Sequence, residues 1–309
     1  MTAPTPRALP AEVRVVVVTY SPGETLSLFL RSLGAATTAP VAVVLADNGS
    51  DDGSVEAAEG PGVRLLRTGG NVGYGRAANL GAAGGDEPWL LVANPDVELG
   101  PGSLDTLLAA AARWPRAGAL GPAIRTPAGD LYPSARAFPS LGRGTAHALL
   151  GWWWPGNPAT RAYRLERGAP VEGPTGWLSG SCLLLRRSAF EAVGGFDAGF
   201  FMYFEDLDLC RRLAAAGWQS VHVPSAVVAH TGGHATQRDA ATARAMLAAH
   251  HASAYRYLAA QYAGWRWAPV RLVLRVGLAA RGLLGRISPK VGEGAQPTRS
   301  ADVLERPAG

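Results

Sequence analysis

Residues 13–19, Val-Arg-Val-Val-Val-Val-Thr, are apolar almost without a break. A strand with one face in water alternates apolar and polar residues, so a continuous run of this kind marks a strand buried on both faces. Such a strand needs helices above and below it. That confines the chain to α/β architectures built on a largely parallel sheet. The pattern recurs at residues 41–46, and a third short strand is expected at 63–66 and a fourth at 89–93. Between the runs lie helical stretches. Ser21-Pro22-Gly23 breaks the first run and starts a helix through Leu33, with Leu26, Phe29, Leu30 and Leu33 on one face. The Gly-rich turn of residues 69–79 enters a second helix.

Polar residues gather where the apolar runs end. Thr19-Tyr20 closes the first run, Asp47-Asn48 and the turn through Ser54 the second, and Asn94-Pro95-Asp96 the fourth. Ligands of α/β sheets bind at the carboxyl ends of the strands, so residues 19–96 read as one side of a binding pocket. Asn94-Pro95-Asp96 sets a carboxylate in a tight turn. One carboxylate together with diphosphate oxygens suits Mg²⁺ or Mn²⁺, although the tripeptide is also a good ordinary turn. Gly73-Tyr74-Gly75-Arg76-Ala77-Ala78 fits the G-x-G-x-x-A fingerprint of dinucleotide sites. Yet it follows the third run, not the first, and a dinucleotide site leaves Asp47, Asn48 and the acids at 205–208 without a task.

A second dense feature occupies residues 200–212, where Phe200, Phe201, Met202, Tyr203 and Phe204 run into Glu205, Asp206 and Asp208, with Arg211 and Arg212 behind. Acids crowded beside aromatics repel one another and are costly to desolvate. A chain accepts that where a carboxylate must hold a proton, a metal or a sugar hydroxyl. Acids also suit a helix N-terminus, and the two readings are compatible.

Elsewhere the pattern predicts a helix over 101–114 capped near Ser103, and a turn-rich stretch with a short strand over 118–130. Irregular chain follows between Pro133 and Pro174, including Trp152-Trp153-Trp154. An apolar run covers 177–185, a helix leads into Gly194-Gly195, and short strands are expected at 219–223 and 227–230. Residues 239–262 and 269–287 read as helices. On the second, Arg271, Arg275, Arg281 and Arg286 face one way and Leu272, Val273, Val276, Leu283, Leu284 and Ile287 the other, with Trp265 and Trp267 just before. That is the pattern of a basic interfacial helix, and also of a packed helix with solvated arginines. Residues 1–12 and 288–309 are rich in Pro, Gly, Thr and charge and are expected to be disordered.

Charge narrows the partners. The net charge is +5, and Lys290 is the only lysine among 29 basic residues. Arginine in company with abundant Ala, Gly and Pro reflects GC-rich codon usage, so it says little about arginine chemistry. A basic balance does fit phosphates, nucleic acid or an acidic membrane surface. Cys182 and Cys210 lie far apart with no metal spacing or disulfide framework, as expected in a reducing cytoplasm. Neither a secretory signal nor a run of about 18 apolar residues is found.

Taken in order, these motifs resemble a known family over about residues 13–235. They are Thr19-Tyr20, Asp47-Asn48-Gly49-Ser50-x-Asp52-Gly53, Asn71-x-Gly73-x-x-x-Ala77-x-Asn79-x-Gly81, Asn94-Pro95-Asp96, Trp177-Leu178-Ser179-Gly180, Gly194-Gly195-Phe196-Asp197 and Phe204-Glu205-Asp206-x-Asp208-x-x-x-Arg212. The set looks like an inverting family 2 glycosyltransferase of the GT-A fold, a Rossmann-like mixed sheet flanked by helices, here with C-terminal helices. Leu45–Ser50, Ser134-Ala135-Arg136, the Trp152–Trp154 region and the stretch from Gly176 to Cys182 are similar to the actinobacterial rhamnosyltransferases that act on decaprenyl-diphosphate-linked N-acetylglucosamine.

The resemblance implies roles. Thr19, Tyr20, Asp47, Asn48, Asn71, Gly73, Arg76 and Asn94 would bind a dTDP-sugar, with Asp47 toward the base. Asp96 would hold a divalent metal, Mg²⁺ or Mn²⁺, completed by His230, and Asn94 replaces the first acid of the family's D-x-D motif. Asp206 would be the general base with Glu205 beside it, and Trp177, Gly180, Asp208 and Arg212 would line the acceptor side. The domain plan it implies is a nucleotide-sugar half at 13–100, an acceptor half at 101–235 and C-terminal helices at 236–287. The expected enzyme is peripheral, on the cytoplasmic face of the membrane, with a polyprenyl-diphosphate acceptor, no nucleic-acid partner and room for a homo-oligomer. Another nucleotide-sugar donor for surface polysaccharide, or a non-catalytic nucleotide-sugar-binding protein, are the alternatives.

Overall fold

The computed structural model describes residues 11–139, 170–232 and 240–287, with the side chains of 240–243 and 279–287 left aside. The expectations for Trp152–Trp154, residues 1–10, residues 288–309 and the side chains of Arg281, Leu283, Leu284, Arg286 and Ile287 lie outside the described residues.

The first apolar run forms β1 (Val13–Thr19), every residue of it buried. It lies parallel between β2 (Val41–Asp47) and β4 (Trp89–Ala93), while β3 (Val63–Arg67) lies beyond β2. Alternate β1 side chains feed two cores. Val13, Val15 and Val17 pack with Leu26, Phe29 and Leu33 of α1 (Glu24–Ala36) and with Leu104 and Leu107 of α4 (Ser103–Arg113). Val16 and Val18 pack on the opposite face with Ala77 and Ala78 of α3 (Tyr74–Ala82) and with Leu209 and Leu213 of α6 (Glu205–Ala215). Each fully buried aliphatic side chain contributes about 1.5–3 kcal/mol. Small residues let α3 lie close: a β-carbon on Gly81 would run into Val16. The one charge on β1, Arg14, is buried and donates to Glu87 (2.9 Å), which also accepts from Arg187 (3.0 Å) at the start of α5 (Arg187–Ala192).

The remaining strands make the sheet mixed. They are β5 (Val97–Leu99), β6 (Ala117–Arg125), β11 (Cys182–Arg186) and β12 (Gln219–His230), giving the order β3-β2-β1-β4-β11-β6-β12-β5. Two further strands, β7 (Leu131–Tyr132) and β9 (Gly173–Thr175), attach to β6 and β12. A separate two-stranded sheet joins β8 (Ala135–Arg136) to β10 (Trp177–Leu178), with Trp177 opposite Arg136. Because β5 pairs with β12, residues from both expected halves share one sheet.

Three sequence expectations need correction. Residues 118–130 were expected to be turn-rich, but β6 is a nine-residue strand. Its glycines serve packing: Gly118 lies under Trp218 and Gly121 under Leu178, where a β-carbon would clash. The two short strands at 219–230 are one, β12, with a register shift between Val223 and Val227. Ser103 does not cap α4, since the cap position is Gly102 in the left-handed region and the Ser103 hydroxyl is buried with no partner among the described residues.

The chain divides into two compact units, Met1–Tyr257 and Leu258–Gly309. Helix α7 (Ala240–Gln261) belongs mostly to the first. In the second, a 3₁₀ turn (Trp265–Trp267) precedes α8 (Ala268–Ile287), and Arg271 donates to the carbonyls of Tyr262 and Gly264, each at 2.6 Å. Trp265 is 81% exposed, and Leu272, Val273 and Val276 are exposed as well.

Candidate active site

Parallel register sets Thr19 beside Asp47 at the carboxyl edge of the sheet. The buried Asp47 carboxylate accepts from the Thr19 hydroxyl (3.1 Å) and from the Ser50 amide (3.1 Å) and hydroxyl (2.5 Å), with Arg67 at 3.6 Å. The Asn48 side chain is buried too. It donates to the Gly73 carbonyl (3.3 Å) and accepts from Thr68 (3.1 Å) and the Val72 amide (3.3 Å), tying the second strand's turn to the glycine turn. Asn71 accepts from the Gly73 amide at 3.2 Å. The expected donor-side residues therefore divide. Thr19, Asp47, Asn48 and Gly73 are buried and build the frame, whereas Tyr20, Asn71 and Arg76 are exposed.

Gly73 sits at φ +90°, and a β-carbon there would strike the Phe201 carbonyl. The same carbonyl accepts from the Tyr74 amide at 3.0 Å, so the 200–204 loop is fastened to the start of α3. At its other end Tyr203 and Phe204 both hold φ near +67°, a conformation that non-glycine residues adopt only when their surroundings enforce it. Helix α7 supplies that enforcement. The Ser253 hydroxyl donates to the Met202 carbonyl (2.8 Å), and the His250 ring stands edge-on to both Tyr203 and Phe204 at 5.4 Å. Tyr257 packs on Phe204 at 5.7 Å, and Arg256 pairs with Asp197 at 2.8 Å. Sequence reasoning passed over these α7 residues. Their spacing at 250, 253 and 257 along one helical face was the available signal.

The strained loop delivers the acids. Asp206, at the start of α6, accepts from the Gly180 amide (2.8 Å) through Oδ2 and from the Leu207 amide (2.7 Å) through Oδ1. Burial raises its carboxyl above the ordinary value, against the opposing pull of these amides and of the Arg136 charge. Glu205 is buried, and its Oε2 has no partner among the described residues. Burial first, and the Asp206 charge second, push it up to about 8. Tyr74 reaches over from α3 and donates to the Gly180 carbonyl at 2.8 Å. Asp208 is buried and occupied by Arg211 (2.9 Å) and Arg212 (2.6 Å), and Arg212 also donates to the Val193 carbonyl (2.7 Å). Trp177, on β10 just ahead of Gly180, lies under the Arg136 guanidinium at 5.2 Å.

Pairing of β12 with β5 brings His230 to Asp96. The His230 Nε2 lies 3.1 Å from Asp96 Oδ1 and 3.3 Å from the Asn94 side-chain amide. Burial acts to raise the Asp96 carboxyl, but the His230 hydrogen bond and charge outweigh it and hold it below the usual carboxylate value. Among the described residues no group of three His, Cys, Asp or Glu side chains is placed to bind a metal. One carboxylate and one imidazole, facing each other, suit a hard cation whose other ligands come from diphosphate oxygens and water. The donor set fits a substrate-assisted metal site.

The arrangement is a buried carboxylate, its pKa raised, beside a pocket of strand ends, a layout suited to taking a proton from a hydroxyl. The profile of "Glycosyl transferase family 2" matches residues 14–194, and that of "Glycosyl transferase family group 2" residues 163–288. The chain is 60% identical over 280 residues to the N-acetylglucosaminyl-diphospho-decaprenol L-rhamnosyltransferase of Mycobacterium tuberculosis (strain ATCC 25618 / H37Rv), covering 86% of this chain and 90% of that protein. In fold it is similar to GalNAc-T7, crystallised with UDP, GalNAc and Mn²⁺ (TM-score 0.53, 15% identity, 72% of this chain and 44% of that one). It is similar also to the mannosyltransferase PcManGT from Pyrobaculum calidifontis in complex with GDP-Man and Mn²⁺ (TM-score 0.53, 17% identity, 93% of this chain and 76% of that one). The mixed sheet with helices on both faces is the GT-A fold, as the sequence led us to expect. This chain belongs to glycosyl transferase family 2.

Proposed function

We propose that this enzyme transfers L-rhamnose, with inversion, from dTDP-L-rhamnose to the N-acetylglucosamine of a polyprenyl diphosphate, in cell-wall biosynthesis. The observation that carries the reading is the 60% identity, over 86% of the chain, to a rhamnosyltransferase named for that acceptor. In this reading Asp206 accepts the proton of the acceptor hydroxyl while the hydroxyl oxygen bonds to the sugar's anomeric carbon. The bond from that carbon to the donor diphosphate breaks on the opposite face, and its electron pair leaves with dTDP. The raised pKa of Asp206 favours the proton transfer. Asp206 places its negative charge near an oxocarbenium-like transition state, with the Glu205 carboxyl, held up to about 8, beside it as a neutral acid.

Thr19, Asp47 and Asn48 shape the nucleoside end, and Tyr20, Asn71, Gly73 and Arg76 meet the ribose and diphosphate. Asp96 and His230, with Asn94, would hold a Mg²⁺ or Mn²⁺ ion, whose charge would stabilise the leaving diphosphate. Trp177 and Gly180 border the acceptor, and the Asp208–Arg212 pair holds α6 in shape behind them. The enzyme works at the inner face of the membrane. No helix of the described residues is long and apolar enough to cross one, and the exposed Trp265, Leu272, Val273 and Val276 beside Arg266 and Arg275 suit an anionic interface.

Incubation with dTDP-, UDP- and GDP-sugars and a short-chain GlcNAc-diphospho-lipid tests the reading. Transfer from dTDP-rhamnose above all others supports it, and preference for another donor overturns it. Full-length chain with Leu272, Val273 and Val276 changed to Gln should no longer sediment with anionic vesicles; unchanged sedimentation contradicts the membrane role.

A further inference from the structure

Arg136 lies close to the acceptor side of the site, and among the described residues it forms no salt bridge with a carboxylate. Its guanidinium lies over the rings of Trp177 (5.2 Å) and Tyr132 (5.5 Å). Its Nε donates to the Pro133 carbonyl (2.8 Å) and its Nη2 to the Tyr132 hydroxyl (3.3 Å). All of these partners are neutral. By contrast Arg14, Arg187, Arg211 and Arg212 are each paired with a carboxylate. Among the described residues no carboxylate pairs with Arg136, and its Nη1 has no hydrogen-bond partner.

Its placement follows from the backbone. Arg136 is the strand partner of Trp177 on the β8–β10 pair, and beyond β10 the chain runs through Ser179 to Gly180, whose amide holds Asp206. The Arg136 charge is also felt at the Asp206 carboxyl, after the larger effect of burial. An arginine fixed by aromatic faces and backbone, with no described carboxylate in salt-bridge contact, is prepared for an anion; its fork of N–H groups matches phosphate oxygens in pairs.

The donor also carries a diphosphate, so the source must be decided. Arg136 packs with Trp177, whose strand lies against β6, β12 and α6, not against the β1 and β2 ends that hold Thr19, Asp47 and Asn48. We propose that Arg136 binds the diphosphate of the lipid-linked acceptor, with Trp177 and Tyr132 holding its guanidinium in place. The site rests on the acceptor reading given above, and it explains how an enzyme selects a sugar by the group that links it to the lipid.

The test measures steady-state kinetics of full-length Arg136→Gln and Arg136→Lys with a short-chain polyprenyl diphosphate carrying GlcNAc. Losing charge-assisted phosphate bonds should raise the acceptor KM roughly ten- to a hundredfold in the Gln variant. The rise should be smaller in the Lys variant, with donor KM and melting temperature unchanged in both. A donor KM that rises instead assigns Arg136 to the donor's diphosphate and overturns the proposal. So does an unaltered acceptor KM, or a fall in melting temperature with both KM values rising. Wild-type enzyme that transfers nothing to this acceptor overturns the acceptor reading itself, an outcome distinct from an active wild type with an indifferent Arg136→Gln.

Discussion

The amide of Gly180 donates a 2.8 Å hydrogen bond to Asp206, and a β-carbon at Gly180 would sit 3.1 Å from the Asp206 side chain. The bond joins two parts of the chain that the sequence keeps apart: the β10 segment bearing Trp177, and the helix α6 bearing the acids. Tyr74 adds the third part by donating to the Gly180 carbonyl from the start of α3. The glycine turn before α3, the β10 segment and the acidic helix therefore meet at one residue, Gly180.

Glu205 should make stability depend on pH. Its carboxyl is held up to about 8 in the folded chain, against an ordinary 4.5. The folded state keeps a proton that the unfolded chain has released, so this contribution is full below about pH 4.5 and is lost as pH rises through about 8. Glu205→Gln removes the dependence. Thermal melts should show the variant gaining on the parent between pH 5 and pH 9; parallel melting curves across that window contradict the burial of Glu205.

Ser253→Ala should cost activity more than stability. Loss of its bond to the Met202 carbonyl costs about 1 kcal/mol. The loop released is the one that holds Tyr203 and Phe204 at positive φ ahead of Asp206. The expected result is a several-fold fall in kcat with a melting shift of a few degrees, reversed in Ser253→Thr. An unchanged kcat contradicts a bracing role for α7.

Glu87→Ala should unfold the core, not the chemistry. It strands Arg14 inside the protein without a counter-ion and leaves Arg187 with Glu191 alone, at 3.5 Å, a loss of about 3–5 kcal/mol. Calorimetry should show a melting temperature lower by roughly 10 °C, with kcat little changed well below it. A shift of under a few degrees means that water reaches this network.

Asp96→Ala should weaken donor binding only in the presence of metal. Isothermal titration of dTDP with and without Mn²⁺ should show a metal-dependent gain in the parent that the variant lacks. Equal gains in both exclude Asp96 as a ligand.

What the sequence made legible follows from local rules. Three strands largely buried on both faces, β1, β2 and β4, announce themselves as apolar runs, and Thr19, Asp47 and Asp96 could be read as site residues because they stand at or just past the ends of those strands. β6 was hidden because Gly118 and Gly121, which make room for Trp218 and Leu178, look like turn residues until the partners are known. β12 was split by Pro224 at its register shift. The hold of His250, Ser253 and Tyr257 on the 200–204 loop is a tertiary contact, and an alanine-rich helix does not name its partner. Asp208 and Arg212 were expected to line the acceptor side, and only geometry shows the two paired, with both carboxylate oxygens of Asp208 occupied.

The central claim is that Asp206 takes the acceptor's proton. The direct measurement is turnover of Asp206→Asn with dTDP-rhamnose and the GlcNAc-diphospho-lipid, alongside dTDP affinity by titration. Asn keeps the size and one oxygen to accept from the Gly180 amide, at the expense of the Leu207 bond, while removing the base. The expected result is a kcat lower by about 10²–10⁴ with dTDP affinity within a few-fold of the parent. Turnover near the parental rate, with dTDP bound equally well, would place the base elsewhere.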